Sequence, residues 1–149
     1  MMVRHFGGTV TEHPDGHVEV GYYPIHATPV GEGLMHWPHF VYQWHREGFD
    51  LPRGLDLLAT GHIFPNQAFR AGPAAFGIQF HPELTTQMVH RWTVRGAHRL
   101  DSPGAKPRDS HFTDRLVHDA TVKAWLDQFL DRWLKGADGW APTGCCHAA

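Results

Sequence analysis

Cysteine is almost missing from this chain: there are 2 in 149 residues, Cys145 and Cys146, adjacent to each other among Gly, Pro and Ala. Adjacent cysteines rarely bridge, and one such pair makes no disulfide framework. Neither is placed as a nucleophile either, because a catalytic thiol needs a rigid, pKa-lowering setting such as a helix N-terminus or a sharp strand-to-helix turn. Residues 137–149 read instead as a frayed tail. Long apolar runs are missing too, which excludes a membrane-spanning helix, and no signal-peptide pattern opens the chain. The expected compartment is the cytoplasm. Charge of one sign is not in excess: 13 Lys and Arg face 15 Asp and Glu, for a formal charge of -2, so no basic field for nucleic acid is expected. The sequence also has no internal repeat and no low-complexity segment.

Histidine is plentiful, with 14 in the chain. They are scattered among Trp, Pro and Arg and follow no single ligand pattern, so no metal site and no cofactor are expected. His36 and His39 come nearest to a pair, but Pro38 between them argues against a helix that would align them, and they read as loop residues.

Periodicity then divides the chain. Met1 to Phe6, followed by Gly7-Gly8, reads as the last turn of a helix with its glycine stop. Gly16 to Ile25 alternates polar and apolar residues after a Pro14-Asp15-Gly16 turn, and reads as a strand with one wet face. A Gly- and Pro-rich loop over 26–38 leads into Phe40 to His45, a strand with its aromatics on one face and Gln43 and His45 on the other. Leu55 to Thr60 and Asn66 to Arg70 read as an antiparallel pair. Beyond residue 84 the period changes to that of a helix: Thr85 or Thr86 caps one with Met88, Val89, Trp92 and Ala97 near one face. Thr113 caps a final helix whose apolar side carries Leu116, Ala120, Ala124, Leu126, Phe129, Leu130, Trp133 and Leu134, with Gly136 as its stop.

Phe76-Gly77-Ile78-Gln79-Phe80-His81-Pro82-Glu83 carries the chemistry. Gly77 to Phe80 reads as a buried strand, and Pro82 ends it because it has no N–H to donate. Side chains at i and i+2 leave an extended chain on the same face, so His81 and Glu83 stand together beyond the strand's end. A carboxylate on one ring nitrogen fixes the tautomer and leaves the other nitrogen to move a proton. By this pattern alone the pair is either a base with its orienting carboxylate or two exposed polar residues at a strand end.

Three segments taken together, GIQFHPE over 77–83, YQWHREGFDLP over 42–52 and FPNQAFR over 64–70, resemble the C-terminal half of the class I glutamine amidotransferase domain. The resemblance implies an α/β fold, part of a three-layer flavodoxin-like α/β/α domain, over residues 1–136. It implies a Cys-His-Glu triad that releases ammonia from glutamine or a γ-glutamyl compound, with His81 as catalytic base and Glu83 as its partner. A synthetase subunit or domain is the partner such ammonia implies. The family has a histidine where His45 stands, usually followed two positions on by an aspartate. Here that position is Glu47, so His45 is expected to line the pocket or hold structure. In the family the nucleophile lies in a G-x-C-x-G-x-Q turn before a helix that ends near a Gly-Gly pair. On that alignment the cysteine, its turn and the oxyanion hole belong upstream of Met1, and residues 1–149 alone are expected to be inactive. One other reading stays open, a non-catalytic binding module of the same fold, while a third, a His-rich metal-binding module, is disfavoured by histidines that follow no ligand pattern.

Overall fold

The structure, a computed structural model, describes residues 2–136 and Trp140. The expectations for Cys145, Cys146 and the tail lie outside the described residues. Helix α1 (Met2–His5) ends in a turn where Gly7 takes φ +84°, and β1 (Val10–Glu12) follows. Next come β2 (Glu19–Pro24), β3 (His26–Ala27), α2 (Pro29–Leu34), β4 (Phe40–His45), β5 (Glu47–Phe49), β6 (Asp56–Thr60), β7 (Asn66–Ala71) and β8 (Ala75–Ile78). Two longer helices, α3 (Thr86–Arg95) and α4 (Ser110–Leu134), complete the chain, with a short 3-10 turn over Ala97–Asp101 between them. The fold is α/β, as the sequence implies.

Among the described residues the named strands pair antiparallel. β2 lies against β4 in a register that sets Glu19 opposite His45 and Pro24 opposite Phe40. β3, β6, β7 and β8 form a four-stranded sheet in that order, and β1 pairs with β5. The β6–β7 pairing matches the predicted antiparallel pair, with Asp56 opposite Arg70. A salt bridge of 2.7 Å joins those two side chains.

Four elements differ from expectation. β2 has no wet face: Glu19 to Tyr23 are all buried, because Glu19 finds polar partners inside the protein and Lys106 closes over Gly21. A helix occupies part of the expected 26–38 loop. Thr28 accepts the Gly31 N–H at 3.1 Å as its N-cap, and Pro29 sits at the first helical position, where its missing N–H costs nothing. α4 starts three residues before the predicted Thr113 cap. Its inner stripe is Val122, Trp125 and Phe129, whereas Leu116 and Leu134 are 89% and 79% exposed. Both leucines lie nine residues from Trp125, or two and a half turns at ~3.6 residues per turn, and so face the opposite way. Finally, the ladder of β8 stops at Ile78, before Phe80.

The segment beyond β8 is nevertheless held. Gln79 N donates to Gln67 O at 2.9 Å and His81 N donates to Tyr42 O at 2.9 Å, so the chain here crosses from β7 to β4. Phe80 is buried against Trp125, with ring centroids 5.4 Å apart, in a core that includes Ile25, Val41, Leu58 and Phe129. Gly77 permits a close approach. A Cβ there would overlap the Phe69 ring, so only a residue without one lets that ring lie over the strand.

Candidate active site

His81 is fixed from three sides before its chemistry is considered. Its backbone is tied to Tyr42, its neighbour Phe80 is anchored in the core, and the Trp92 ring of α3 stands edge-on to the imidazole at 4.8 Å. The helix that presents Trp92 starts where the sequence says it should: Thr85 caps α3 by accepting the Met88 N–H at 3.3 Å. Pro82 turns the chain, and Glu83 comes back beside His81 with Oε1 2.9 Å from Nδ1. The carboxylate oxygen can only accept, so Nδ1 carries the proton and donates it. Nε2 stands outside this bond. The hydrogen bond from His81 holds the Glu83 carboxyl below the usual carboxylate range, against partial burial that pushes it up.

The Glu83 carboxyl, observed by NMR through an acid titration, is expected to titrate below an ordinary glutamate, and His81→Ala is expected to move its midpoint upward. A depressed carboxyl contributes stability that is present above its unfolded value and is lost as pH falls through the folded one. The contribution is small, since the Glu83 side chain is 53% exposed. An unchanged midpoint in His81→Ala contradicts the pairing.

The pair opens on a cleft of about 430 Å³ between Tyr42 in the middle of β4, the segment that leads into α3 and the flank of α4. Across it stand Tyr22, Arg115 and Asp119. Arg115 Nε donates to Asp119 at 2.6 Å, and the Tyr22 hydroxyl donates to the same carboxylate. Burial first, then the hydrogen bond to Asp119, pushes the Tyr22 phenol well above its ordinary value, so it stays a neutral donor. Sequence reasoning misses all three. An Arg-x-x-x-Asp step on a helix is a common surface pair, and only the packing of α4 onto β2 brings it to this cleft.

His45 is differently committed. Its Nε2 lies 3.1 Å from Glu19 Oε2 and 3.1 Å from Gln43 Oε1, and its Nδ1 lies 3.0 Å from Gln79 Nε2. Glu19 Oε2 and Gln43 Oε1 only accept, so Nε2 carries a proton and points it at them, while Nδ1 sits between the Gln79 amide and the Glu47 carbonyl oxygen, 3.0 Å from each. Gln67 extends the network: its amide donates to Glu19 at 2.8 Å and accepts from Gln43 at 2.7 Å. Glu19, Gln43 and Gln67 are all buried. Both His45 nitrogens are engaged, and Glu47, exposed on β5, contributes its backbone carbonyl to the cluster.

His111 carries no signal in the sequence that sets it apart from the other histidines. It is fully buried behind β4, its Nε2 donating to Lys106 O at 3.1 Å and its Nδ1 accepting from the Tyr42 hydroxyl at 2.8 Å. Burial pushes its pKa down and that of the Tyr42 phenol up, so both stay neutral and hold the strand that holds His81. His36 and His39 lie outside any helix or strand, as expected. Among the described residues no helix is long and apolar enough to cross a membrane.

No protein-family model matches the sequence, and no curated protein matches it significantly. Solved structures do. A glutamine amidotransferase from Methylobacillus flagellatus superposes with a TM-score of 0.79 and 25% identity, over 99% of this chain and 62% of that one. Another, from Thermotoga maritima, gives a TM-score of 0.76 and 28% identity, over 91% of this chain and 58% of that one. The chain therefore spans about three fifths of the length of the structures it matches. Its fold is glutamine amidotransferase-like.

Proposed function

We propose that residues 1–136 form the C-terminal part of a glutamine amidotransferase domain and supply the acid-base half of its Cys-His-Glu site. The observation that carries this is the contrast between two strand-end histidines. His45 has both nitrogens bound in a buried network. His81 has Nδ1 on Glu83 and its ring at the mouth of a cleft. Likeness to two amidotransferase structures supports the same reading.

The chemistry runs through Nε2 of His81. A thiol supplied from outside the described residues gives its proton to Nε2, and the thiolate attacks the side-chain carboxamide carbon of glutamine. The imidazolium, stabilised by Glu83, returns that proton to the amide nitrogen as the C–N bond breaks, so that ammonia leaves and a γ-glutamyl thioester remains. Water, deprotonated by the same nitrogen, then releases glutamate. A γ-glutamyl compound in place of glutamine passes through the same steps. The ammonia would be consumed by a synthetase subunit or domain.

The test is ammonia and glutamate release from glutamine by residues 1–149 alone and by the same chain joined to an upstream segment that carries the G-x-C-x-G-x-Q turn. Equal amounts of both products from the joined protein, and none from the chain alone, are expected. A folded joined protein that binds glutamine without cleaving it favours the non-catalytic binding module.

A further inference from the structure

The loop between β1 and β2 brings together two imidazoles and a carboxylate that the His81 cleft does not use. In His13-Pro14-Asp15-Gly16-His17 the chain reverses: Gly16 takes φ +69° and donates its N–H to His13 O at 2.9 Å. The reversal turns an i, i+2, i+4 spacing that matches no standard ligand motif into a cluster. One ligand atom from each of His13, Asp15 and His17 lies within 4.8 Å of the others. Asp15 Oδ2 is 3.9 Å from His13 Nδ1, and the two rings stand edge to face with centroids 5.0 Å apart. A tetrahedral cation with bonds of ~2.0–2.2 Å wants its ligand atoms ~3.3–3.6 Å apart, so modest side-chain rotations close the set.

One feature points to a ligand there. The His13 Nδ1 lone pair is taken by the Asp15 N–H at 3.2 Å, a bond that a cation on that nitrogen displaces, so the unmet atom is on His17. His17 Nδ1 is buried and has no hydrogen-bond partner among the described residues. A buried polar atom without a partner costs free energy that a bound cation or its water removes.

We propose that His13, Asp15 and His17 form a site for one divalent transition cation of the imidazole-preferring kind, Zn²⁺ in class. Two imidazoles and one carboxylate disfavour Mg²⁺ and Ca²⁺, which take oxygen ligands, and three protein ligands leave one position to water. The site adjoins the buried network: the His13 ring packs edge-on to Phe64, at 5.9 Å, and Phe64 packs against His45 at 4.9 Å. Bound metal pins the loop that leads into β2 and Glu19. The proposal departs from the expectation set by the scattered histidines, since a turn, and not a periodic spacing, gathers the ligand atoms.

The experiment titrates ZnCl₂ into the 149-residue chain carrying Cys145→Ser and Cys146→Ser, which removes the thiols as competing ligands. Heat and the imidazole ¹⁵N signals of the histidines are followed together. One saturable equivalent is expected, with the His13 and His17 signals moving in step, a raised Tm that EDTA reverses, and no response to Mg²⁺. Asp15→Asn and His17→Gln should each weaken binding by at least the ~10–100-fold that losing even an outer partner of a metal site costs. Asp15 is exposed, so its variant reports on binding even where the His17 variant unfolds. The proposal fails where no saturable binding occurs. It fails equally where Zn²⁺ binds Asp15→Asn as tightly as the parent or moves other histidines first.

Discussion

His81→Ala, made in the joined protein that carries a thiol nucleophile, is expected to lower ammonia release from glutamine by at least ~10²–10⁴-fold, the usual contribution of a general acid-base group. The loss should exceed that range, because the same nitrogen both takes the thiol proton and delivers it to ammonia. Among the described residues lining the cleft, no other imidazole can replace it. Glu83→Gln should fall less far: it keeps an acceptor for Nδ1–H and loses only the charge that stabilises the imidazolium. His45→Ala should lower activity through the fold, with a lower Tm and an unshifted pH profile in the protein that remains folded. Initial rates across pH, with Tm measured on each variant, separate these outcomes. If His81→Ala leaves ammonia release unchanged, the amidotransferase reading of the cleft is wrong. If His45→Ala is as damaging with Tm unchanged, the base has been assigned to the wrong histidine.

How much of this fold is legible in the sequence depends on the range of the physics involved. β4, β6, β7 and the start of α3 are legible because their signals are local: alternation, a turn between strands, and a threonine cap. The nearness of His81 and Glu83 is legible because only one residue separates them, but a turn at Pro82 and Glu83, and not the expected extended chain, brings the two side chains together. Burial is harder to read. Glu19 looks like the polar position of a half-exposed strand until Gln67 from β7 and His45 from β4 reach it, and both approach from distant sequence. The stripe on α4 fails in a related way. Leu116 and Leu134 have the composition of core residues, yet which arc of a long helix faces inward is set by what it packs on, here Trp37 and Phe80 against Trp125. Arg115 and Asp119 are illegible as site residues because helical spacing alone describes an ordinary surface pair.

Gln67→Leu is expected to destabilise the chain by ~3–5 kcal/mol, the range for breaking a buried ionic or hydrogen-bonded group by removing one partner. Leucine fills much of the same volume, so the loss is of hydrogen bonds and not of packing. Three disappear together: to Glu19 at 2.8 Å, from Gln43 at 2.7 Å and to Phe64 O at 3.0 Å. Glu19 is then left with His45 alone, and the Gln43 amide has no acceptor, each a buried polar group missing a partner at ~1–3 kcal/mol. The backbone bond from Gln79 N to Gln67 O remains, so β7 keeps its hold on the segment that carries His81. Adding Glu19→Leu should return part of the loss, since the carboxylate that needed the amide is gone, and a double-mutant cycle reads the coupling between them. Urea unfolding measures both, with an unchanged m-value showing that the unfolded state is not the cause. A cost below ~1 kcal/mol for Gln67→Leu, or full additivity of the two changes, would mean that water already serves these groups and that the network does not hold the His45 side of the site in place.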